Sequence, residues 1–253
     1  MGCSAEDVIA KRMALMVLGS CIRHIIASLL LPYGSIVADE KEDMVEIIEK
    51  YFPQLTEKQS RQMDQLLPLY TDWNDKINVI SRKDIGNLYE RHVLHSLAIA
   101  KWISFQPGTN IMDIGCGGGF PSIPLAILFP EVSFHCVDSI NKKLKVINAV
   151  VEEIGLDNIR TTHSRAEEIK ERYDYVINRA VAPFTKLLSW TRKNISNKQR
   201  NAIPNGMISL KGGDLSSELS SIRKKEYYEV TPLSDYFEEE FFSTKYLIYI
   251  QLG

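Results

Sequence analysis

Residues 110–122, Asn-Ile-Met-Asp-Ile-Gly-Cys-Gly-Gly-Gly-Phe-Pro-Ser, constrain the fold more than any other stretch of the chain. Asn110 to Ile114 reads as a short buried strand. Gly115, Gly117, Gly118 and Gly119 then make a turn that few side chains would tolerate, because glycine alone moves freely into positive φ. Pro121 opens a helix predicted over Ser122 to Leu128. A strand, a glycine turn and a helix in that order begin a βαβ unit that cradles a nucleotide against its backbone.

Three details separate this stretch from a dinucleotide site. The spacing is Gly115-x-Gly117-x-Gly119, not G-x-G-x-x-G. Asp113, two residues before the first glycine, suits a cationic amino-acid group and sits poorly beside a pyrophosphate. Phe120 and Pro121 add bulk and remove an N–H where a phosphate wants room and free donors. Asp-x-Gly-x-Gly-x-Gly is the pattern of S-adenosylmethionine-dependent methyltransferases. A dinucleotide site and a tight turn that binds nothing remain the rival readings of the motif alone.

At 253 residues the chain has room for one large domain with an appendage, or for two small ones. A net charge of −2 gives no bulk attraction to nucleic acid, so any such contact must come from local basic patches. Cys3, Cys21, Cys116 and Cys136 show no metal-ligand spacing and suit free thiols in a reducing cytoplasm. No metal is expected. Residues 1–43 do not match the rest. Lys11 and Arg12 precede an apolar stretch from Met13 to Leu31, interrupted by Arg23 and His24. The stretch resembles an export signal, Leu18-Gly19-Ser20-Cys21 resembles a lipoprotein cleavage box, and Met1-Gly2-Cys3-Ser4 begins like a myristoylation site but has Glu6 where Ser or Thr is needed. An upstream translated extension is the first reading, a peripheral amphipathic helix the second and a true signal the third. The two basic-type residues at its centre argue against a membrane span.

From Met44 a helical stripe runs to Phe52 and stops at Pro53. Thr56-Glu57-Lys58-Gln59 fits a capping box. It opens a second helix with Met63, Leu66, Leu67, Tyr70 and Trp73 on the buried face, before a break over Asn74 to Ser81. A third helix is predicted over Leu88 to Ile103. Beyond the glycine loop, strands are predicted over Val132–Val137, Ile159–His163, Tyr173–Asn178, Gly206–Leu210, Tyr227–Pro232 and Lys245–Leu252. Helices are predicted over Asn141–Ile154, Pro183–Trp190 and Ser216–Lys224, with a polar, basic loop over 192–205. The alternation predicts an α/β fold, a doubly wound and mostly parallel seven-stranded sheet of the Rossmann-like class I methyltransferase type. A helical cap (44–105) precedes the α/β domain (106–253).

Ligands of such sheets lie beyond the carboxyl ends of the strands. Asp138 ends the second strand about twenty residues past the glycine loop, where an acid holds a ribose diol; that is the favoured reading, and a cap for the helix from Asn141 is the alternative. Ser164-Arg165-Ala166-Glu167-Glu168, after the third strand, could hold an adenine amino group or form a plain polar turn. Arg179, at the end of the fourth, faces the place where substrate meets donor, with a surface ion pair as the alternative. A sulfonium methyl donor is already activated, so the enzyme mainly supplies proximity and alignment, and a lone-pair nucleophile needs no general base. No catalytic triad is visible. His135 and His163 fall in strand patterns and read as structural.

Six segments together carry a more specific resemblance: Arg91-His92-Val93-Leu94-His95-Ser96; Asp113 to Pro121; Val137-Asp138-Ser139; Ser164 to Glu168; Asn178-Arg179-Ala180; and Leu210-Lys211-Gly212. In this order they resemble the glucose-inhibited division protein B family, the bacterial small-subunit rRNA guanine-N7 methyltransferases. The resemblance implies that Gly115, Phe120, Ala166, Glu167 and Arg179 contact S-adenosylmethionine, beside Asp113, Gly117 and Asp138 of the motif reading. It places Arg91, His92, Arg179 and Lys211 near the RNA side and makes 16S rRNA of the small ribosomal subunit the substrate. A cytoplasmic monomer is expected, without DNA or stable membrane association. His95 stands where relatives carry an acid, and residues 1–43 have no counterpart.

Basic clusters offer RNA contacts: Arg82 and Lys83; Lys142, Lys143 and Lys145; Arg192, Lys193, Lys198 and Arg200; Arg223, Lys224 and Lys225. The 192–200 loop is the first candidate, as a segment expected to leave the sheet beside the fourth strand's end. Rival functions are the same donor acting on a small molecule or protein, a donor-binding module without turnover, and a membrane-associated protein.

Overall fold

The computed structural model describes residues 46–222 and 226–253. The readings made on residues 1–43, the first two residues of the stripe from Met44 and the Arg223-Lys224-Lys225 cluster lie outside the described residues; the helix predicted over Ser216–Lys224 ends at Ser220.

Seven strands form one sheet in the order β3-β2-β1-β4-β5-β7-β6. They are β1 (Asn110–Ile114), β2 (Ser133–Asp138), β3 (Ile159–His163), β4 (Tyr175–Arg179), β5 (Gly206–Gly212), β6 (Tyr228–Pro232) and β7 (Lys245–Gln251). The first five are parallel; β7 runs antiparallel between β5 and β6. The central strands are buried on both faces, which explains their nearly continuous apolar sequence. Because β1 pairs with β2 on one side and β4 on the other, the strand order reverses at β1. That crevice is where a doubly wound sheet binds its ligand.

The helical cap differs from the sequence expectation in two places. Residues 46–51 are helical, and the capping box forms: Gln59 N–H donates to Thr56 Oγ1 at 3.3 Å, and Thr56 N–H donates to Gln59 Oε1 at 2.9 Å. The next helix is split at Gln65 into α1 (Glu57–Asp64) and α2 (Leu66–Lys76). Pro68 explains the split. It cannot donate to the carbonyl of Asp64, and its ring would crowd that carbonyl, so it is tolerated only in a helix's first turn. The freed Asp64 carbonyl accepts from Tyr89 Oη at 3.2 Å, and the Met63 carbonyl beside it accepts from the same hydroxyl at 2.9 Å. The second difference is that Tyr89–Leu94 is π-helical before α3 (His95–Trp102) continues as α-helix.

The cap packs on the layer formed by α4 (Ser122–Leu128) and α5 (Asn141–Glu153). Gln59 Nε2 donates to the carbonyls of Ile127 and Leu128, and Gln62 Nε2 to that of Ile154, tying the cap to the ends of α4 and α5. Short 3-10 turns at Ala166–Glu168 and Arg192–Asn194, α6 (Phe184–Thr191) and α7 (Ser216–Ser220) are the helical elements between the later strands up to β6. Cap and sheet belong to one compact unit, Val45–Gly253.

Candidate active site

The glycine loop leaves β1 in left-handed steps, with φ of 62° at Gly115, 55° at Gly117 and 101° at Gly119. The surroundings press on three of the four glycines and leave the fourth open. A Cβ on Gly115 would stand 2.8 and 2.9 Å from the γ-methyls of Val181; one on Gly118 would meet Val79 at 3.0 Å; one on Gly119 would meet Ile123 at 2.6 Å. On Gly117 a Cβ would meet only the Gly115 carbonyl, at 4.0 Å, so it would project into open space. Gly115 and Gly117 are the members of the loop that solvent reaches.

The cleft beside Gly115 is lined by Asp138 and Ser139 at the end of β2, by Arg165, Ala166 and Glu167 after β3, and by the apolar walls of Val181 and Trp190. Four residues predicted from sequence for donor binding, Gly115, Asp138, Ala166 and Glu167, therefore meet in one place. Asp138 combines its two readings in part. Its Oδ2 accepts from Gly117 N–H at 3.0 Å, and its Oδ1 accepts from Ile140 N–H at 2.8 Å, just before α5. The carboxylate thus fixes the glycine loop to the end of β2, and each oxygen keeps a lone pair for a hydroxyl.

Asp113 is closed from solvent. Its Oδ2 accepts from Ser122 Oγ at 2.7 Å, while Oδ1 has no partner. Burial pushes its carboxyl up to about 7, against the pull of Ser122 and the positive Arg179. A buried carboxyl with an orphaned acceptor beneath a glycine cradle fits a cationic ligand above it, as the sulfonium and ammonium of S-adenosylmethionine require. The rest of that molecule would lie along the open edge at Gly117 and the cleft lined by Asp138, Ala166 and Trp190. Among the described residues no group of His, Cys, Asp and Glu is arranged to hold a metal.

On the other flank of the loop, Phe120, Arg179 and His92 form a second cluster. Arg179 lies over the Phe120 ring at 5.2 Å and donates through Nη2 to His92 Nδ1 at 3.0 Å and through Nη1 to the Arg91 carbonyl at 3.3 Å. His92 meets Phe120 edge-on at 5.4 Å. Burial first, and then the charge of Arg179, push the His92 imidazole down to about 3, so it is neutral at physiological pH. Burial also lowers Arg179, to about 10, despite Asp113. The π-helical turn brings His92 to this cluster.

Two residues that the resemblance placed on the RNA side are engaged with partners within the chain. Arg91 pairs with Asp84 at 2.8 Å, and its guanidinium lies over Phe241 at 5.7 Å. Lys211 is buried, with its ammonium on the Ala182 carbonyl at 2.7 Å and on Glu218 at 2.8 Å. His95 is buried too, edge-on to Phe241 at 5.5 Å, and burial pushes it well below the ordinary imidazole range. The 192–200 loop is not beside the end of β4. Helix α6 carries the chain back to the amino edge, where β5 must start. Ser196 N–H accordingly donates to the Tyr173 carbonyl at 2.8 Å, and the Arg200 guanidinium stands 3.9 Å from Asp174.

Sequence reasoning missed Tyr70, Asn74 and Val79. Tyr70 Oη donates to the Gly118 carbonyl, and its ring packs on Phe120 at 4.9 Å. Asn74 Oδ1 accepts from the N–H groups of Val79 and Ile80, and its Nδ2 donates to the Ile80 carbonyl, all at 2.9 Å. This sets Val79 against Gly118. The only signal was an asparagine, a residue able to bond nearby backbone, where the helical pattern failed.

Comparison with known proteins gives the family. The family model for rRNA small subunit methyltransferase G (GidB) matches residues 59–235. The ribosomal RNA small subunit methyltransferase G of Bacteroides thetaiotaomicron is 58% identical over 208 residues, covering 82% of this chain and 100% of that protein. The protein of the same name from Porphyromonas gingivalis is 56% identical over 208 residues, covering 82% of this chain and 93% of that one. Among solved structures, that of a MtNAS mutant in complex with S-adenosylmethionine has a TM-score of 0.50 at 12% identity. It covers 77% of this chain and 76% of that one, which is a likeness of fold. With most of its length matched at this identity, and with the glycine cradle and Asp113 in place, the chain belongs to the rRNA small subunit methyltransferase G (GidB) family.

Proposed function

We propose that this protein transfers the methyl group of S-adenosylmethionine to N7 of a guanine in 16S rRNA of the small ribosomal subunit. The donor supplies a methyl carbon already activated by its sulfonium. The protein's task is then to hold donor and base in line and exclude water. Gly115, Gly117, Asp138, Ala166 and Glu167 line the donor side; Phe120, Arg179 and His92 border the substrate side. Arg91 and Lys211, each held by an internal partner, belong to the support of the site.

The observation that carries the choice of acceptor is the state of His92. Its Nδ1 already accepts from Arg179, and the imidazole is held neutral with a very low affinity for protons. Asp113 is enclosed and bonded to Ser122. Neither group is placed to take a proton from a nucleophile. Guanine N7 carries an exposed lone pair on the Hoogsteen edge and needs no base. The target guanine must be unstacked or in a loop for a pocket to reach it.

A cytoplasmic monomer that acts on the ribosomal subunit is consistent with this reading. Among the described residues no helix is long and apolar enough to cross a membrane. The test is transfer of labelled methyl from S-adenosylmethionine to small ribosomal subunits, naked 16S rRNA, total protein and a metabolite pool in parallel. Label that maps to N7-methylguanine in the RNA supports the proposal. Label only in protein or metabolites overturns the substrate.

A further inference from the structure

The short segment between β4 and α6 has an unusual backbone and a buried charge beneath it. Ala180 has φ of +52°, and among the described residues it is the one non-glycine residue in the left-handed region. That conformation is strained for an L-residue, so the surroundings must impose it. Two consecutive residues of β5 do so. The Leu210 carbonyl accepts from Ala180 N–H at 3.2 Å, and the Lys211 ammonium donates to the Ala182 carbonyl at 2.7 Å. Alternate residues of the segment are gripped, and the residue between them, Val181, is turned onto the glycine loop. Its γ-methyls occupy the space above Gly115 so closely that only glycine fits beneath, and the same side chain lines the donor cleft.

Lys211 is committed to this task. Its side chain is 8% exposed, Glu218 neutralises it at 2.8 Å, and the Phe184 ring lies 4.9 Å from the ammonium. A buried ammonium requires such partners, and two of its three donors are used internally. A lysine held in this way has little to offer an RNA phosphate.

We propose that Lys211 is a positioning residue for the donor cleft: by holding the Ala182 carbonyl it sets Val181 as the wall over Gly115, and it does not contact the RNA. The proposal rests on the donor site assigned above and deepens it.

The test uses the full chain and titrates S-adenosylhomocysteine by calorimetry, alongside KM for donor and for small-subunit RNA, the salt dependence of RNA binding, and melting temperature. Lys211→Met keeps the aliphatic stem and removes the ammonium. The expected result is a Kd for S-adenosylhomocysteine raised about tenfold, a matching rise in donor KM, and unchanged RNA KM and salt slope. Lys211→Arg, which can still donate to the carbonyl, should recover most of the donor affinity. Val181→Ala should weaken donor binding with Lys211 intact.

An unchanged donor Kd together with a salt slope reduced by about 0.7, the value of one phosphate on a single strand, would overturn the proposal and make Lys211 an RNA-binding residue. So would a Lys211→Arg protein that melts like the parent but binds donor as weakly as Lys211→Met. A parent that binds S-adenosylhomocysteine but methylates no RNA would refute the proposed substrate instead, and the donor titrations would still judge Lys211.

Discussion

Substitution of Gly117 by alanine separates a conformational cost from a ligand-binding one. Gly117 has φ of +55°, so a Cβ there carries the left-handed penalty, about 1 kcal/mol. It adds no clash within the protein, because the nearest atom is the Gly115 carbonyl at 4.0 Å. For a domain of this size 1 kcal/mol corresponds to a fall in Tm of about 2–4 °C. The methyl group would, however, stand on the open side of the loop, where the donor has to approach. Donor affinity should therefore fall by at least about tenfold, or 1.4 kcal/mol, beyond what the stability change explains. Gly155→Ala is the matched control. Gly155 has φ of +65°, open space around its Cβ position, and a place just past α5. It should show the same fall in Tm and an unchanged Kd. Calorimetric titration of S-adenosylhomocysteine and thermal melts of both variants suffice. Equal donor affinity in Gly117→Ala, Gly155→Ala and the parent would refute the placement of the donor on this loop.

Asn74→Ala should cost about 2–4 kcal/mol in urea denaturation, since it leaves two N–H groups without their buried acceptor; a change under about 0.5 kcal/mol would show that the 77–80 segment holds itself. Burial raises the Asp113 carboxyl from 3.8 to about 7, so the folded state binds that proton more tightly than the unfolded one. Its contribution is complete below about pH 4 and vanishes as pH rises through 7. Asp113→Asn should remove this decline in stability, and identical pH slopes for parent and variant would refute it. Neutralising Lys198 and Arg200, at the amino edge, should leave the salt slope of RNA binding unchanged. Neutralising Arg82 and Lys83, in the turn after Ile80, and Lys142 and Lys143, in the first turn of α5 just past the carboxyl end of β2, should lower the slope by about 0.7 for each phosphate no longer neutralised. The reverse pattern would put the RNA on the other edge.

What the sequence revealed and what it concealed follow from the range of the interactions. The capping box at Thr56 and Gln59 spans three residues, and the glycine loop is contiguous, so both are written in the chain locally. Pro68 was equally local, and its conflict with the Asp64 carbonyl divides the predicted second helix. The π-helical turn at Tyr89–Leu94 left no comparable mark, because over six residues its apolar spacing does not differ usefully from that of an α-helix. The 192–200 loop was misplaced for a topological reason. Charge spacing records nothing about sheet edges, whereas a helix that follows one parallel strand must return the chain to the amino edge before the next. Lys211 was opaque for a third reason, since its partner carbonyl at Ala182 lies 29 residues away and is ordinary backbone. The residues proposed for the donor, Gly115, Asp138, Ala166 and Glu167, could be named from the sequence because each lies at or just past a strand's carboxyl end, and they line one cleft.

The cap completes the site. Phe120, the first residue beyond the glycine loop, is touched from one side by Tyr70 of α2 and from another by His92 of the π-helical turn, while Arg179 of β4 covers it. Tyr70 also holds the Gly118 carbonyl, and Val79 closes on the same glycine. Each aromatic contact is worth about 0.5–1.5 kcal/mol beyond area burial, and together they tie three separate segments to one ring. A change in the cap that moved Tyr70 or His92 would therefore disturb the glycine loop and the Arg179 guanidinium at once. Both flanks of the glycine loop share this ring, so the cap cannot be exchanged for another without rebuilding both. The neutral state of His92 serves the same arrangement. A protonated imidazole would set a second positive charge against Arg179 at 3.0 Å; a neutral one accepts the guanidinium's hydrogen bond and keeps it in place over Phe120.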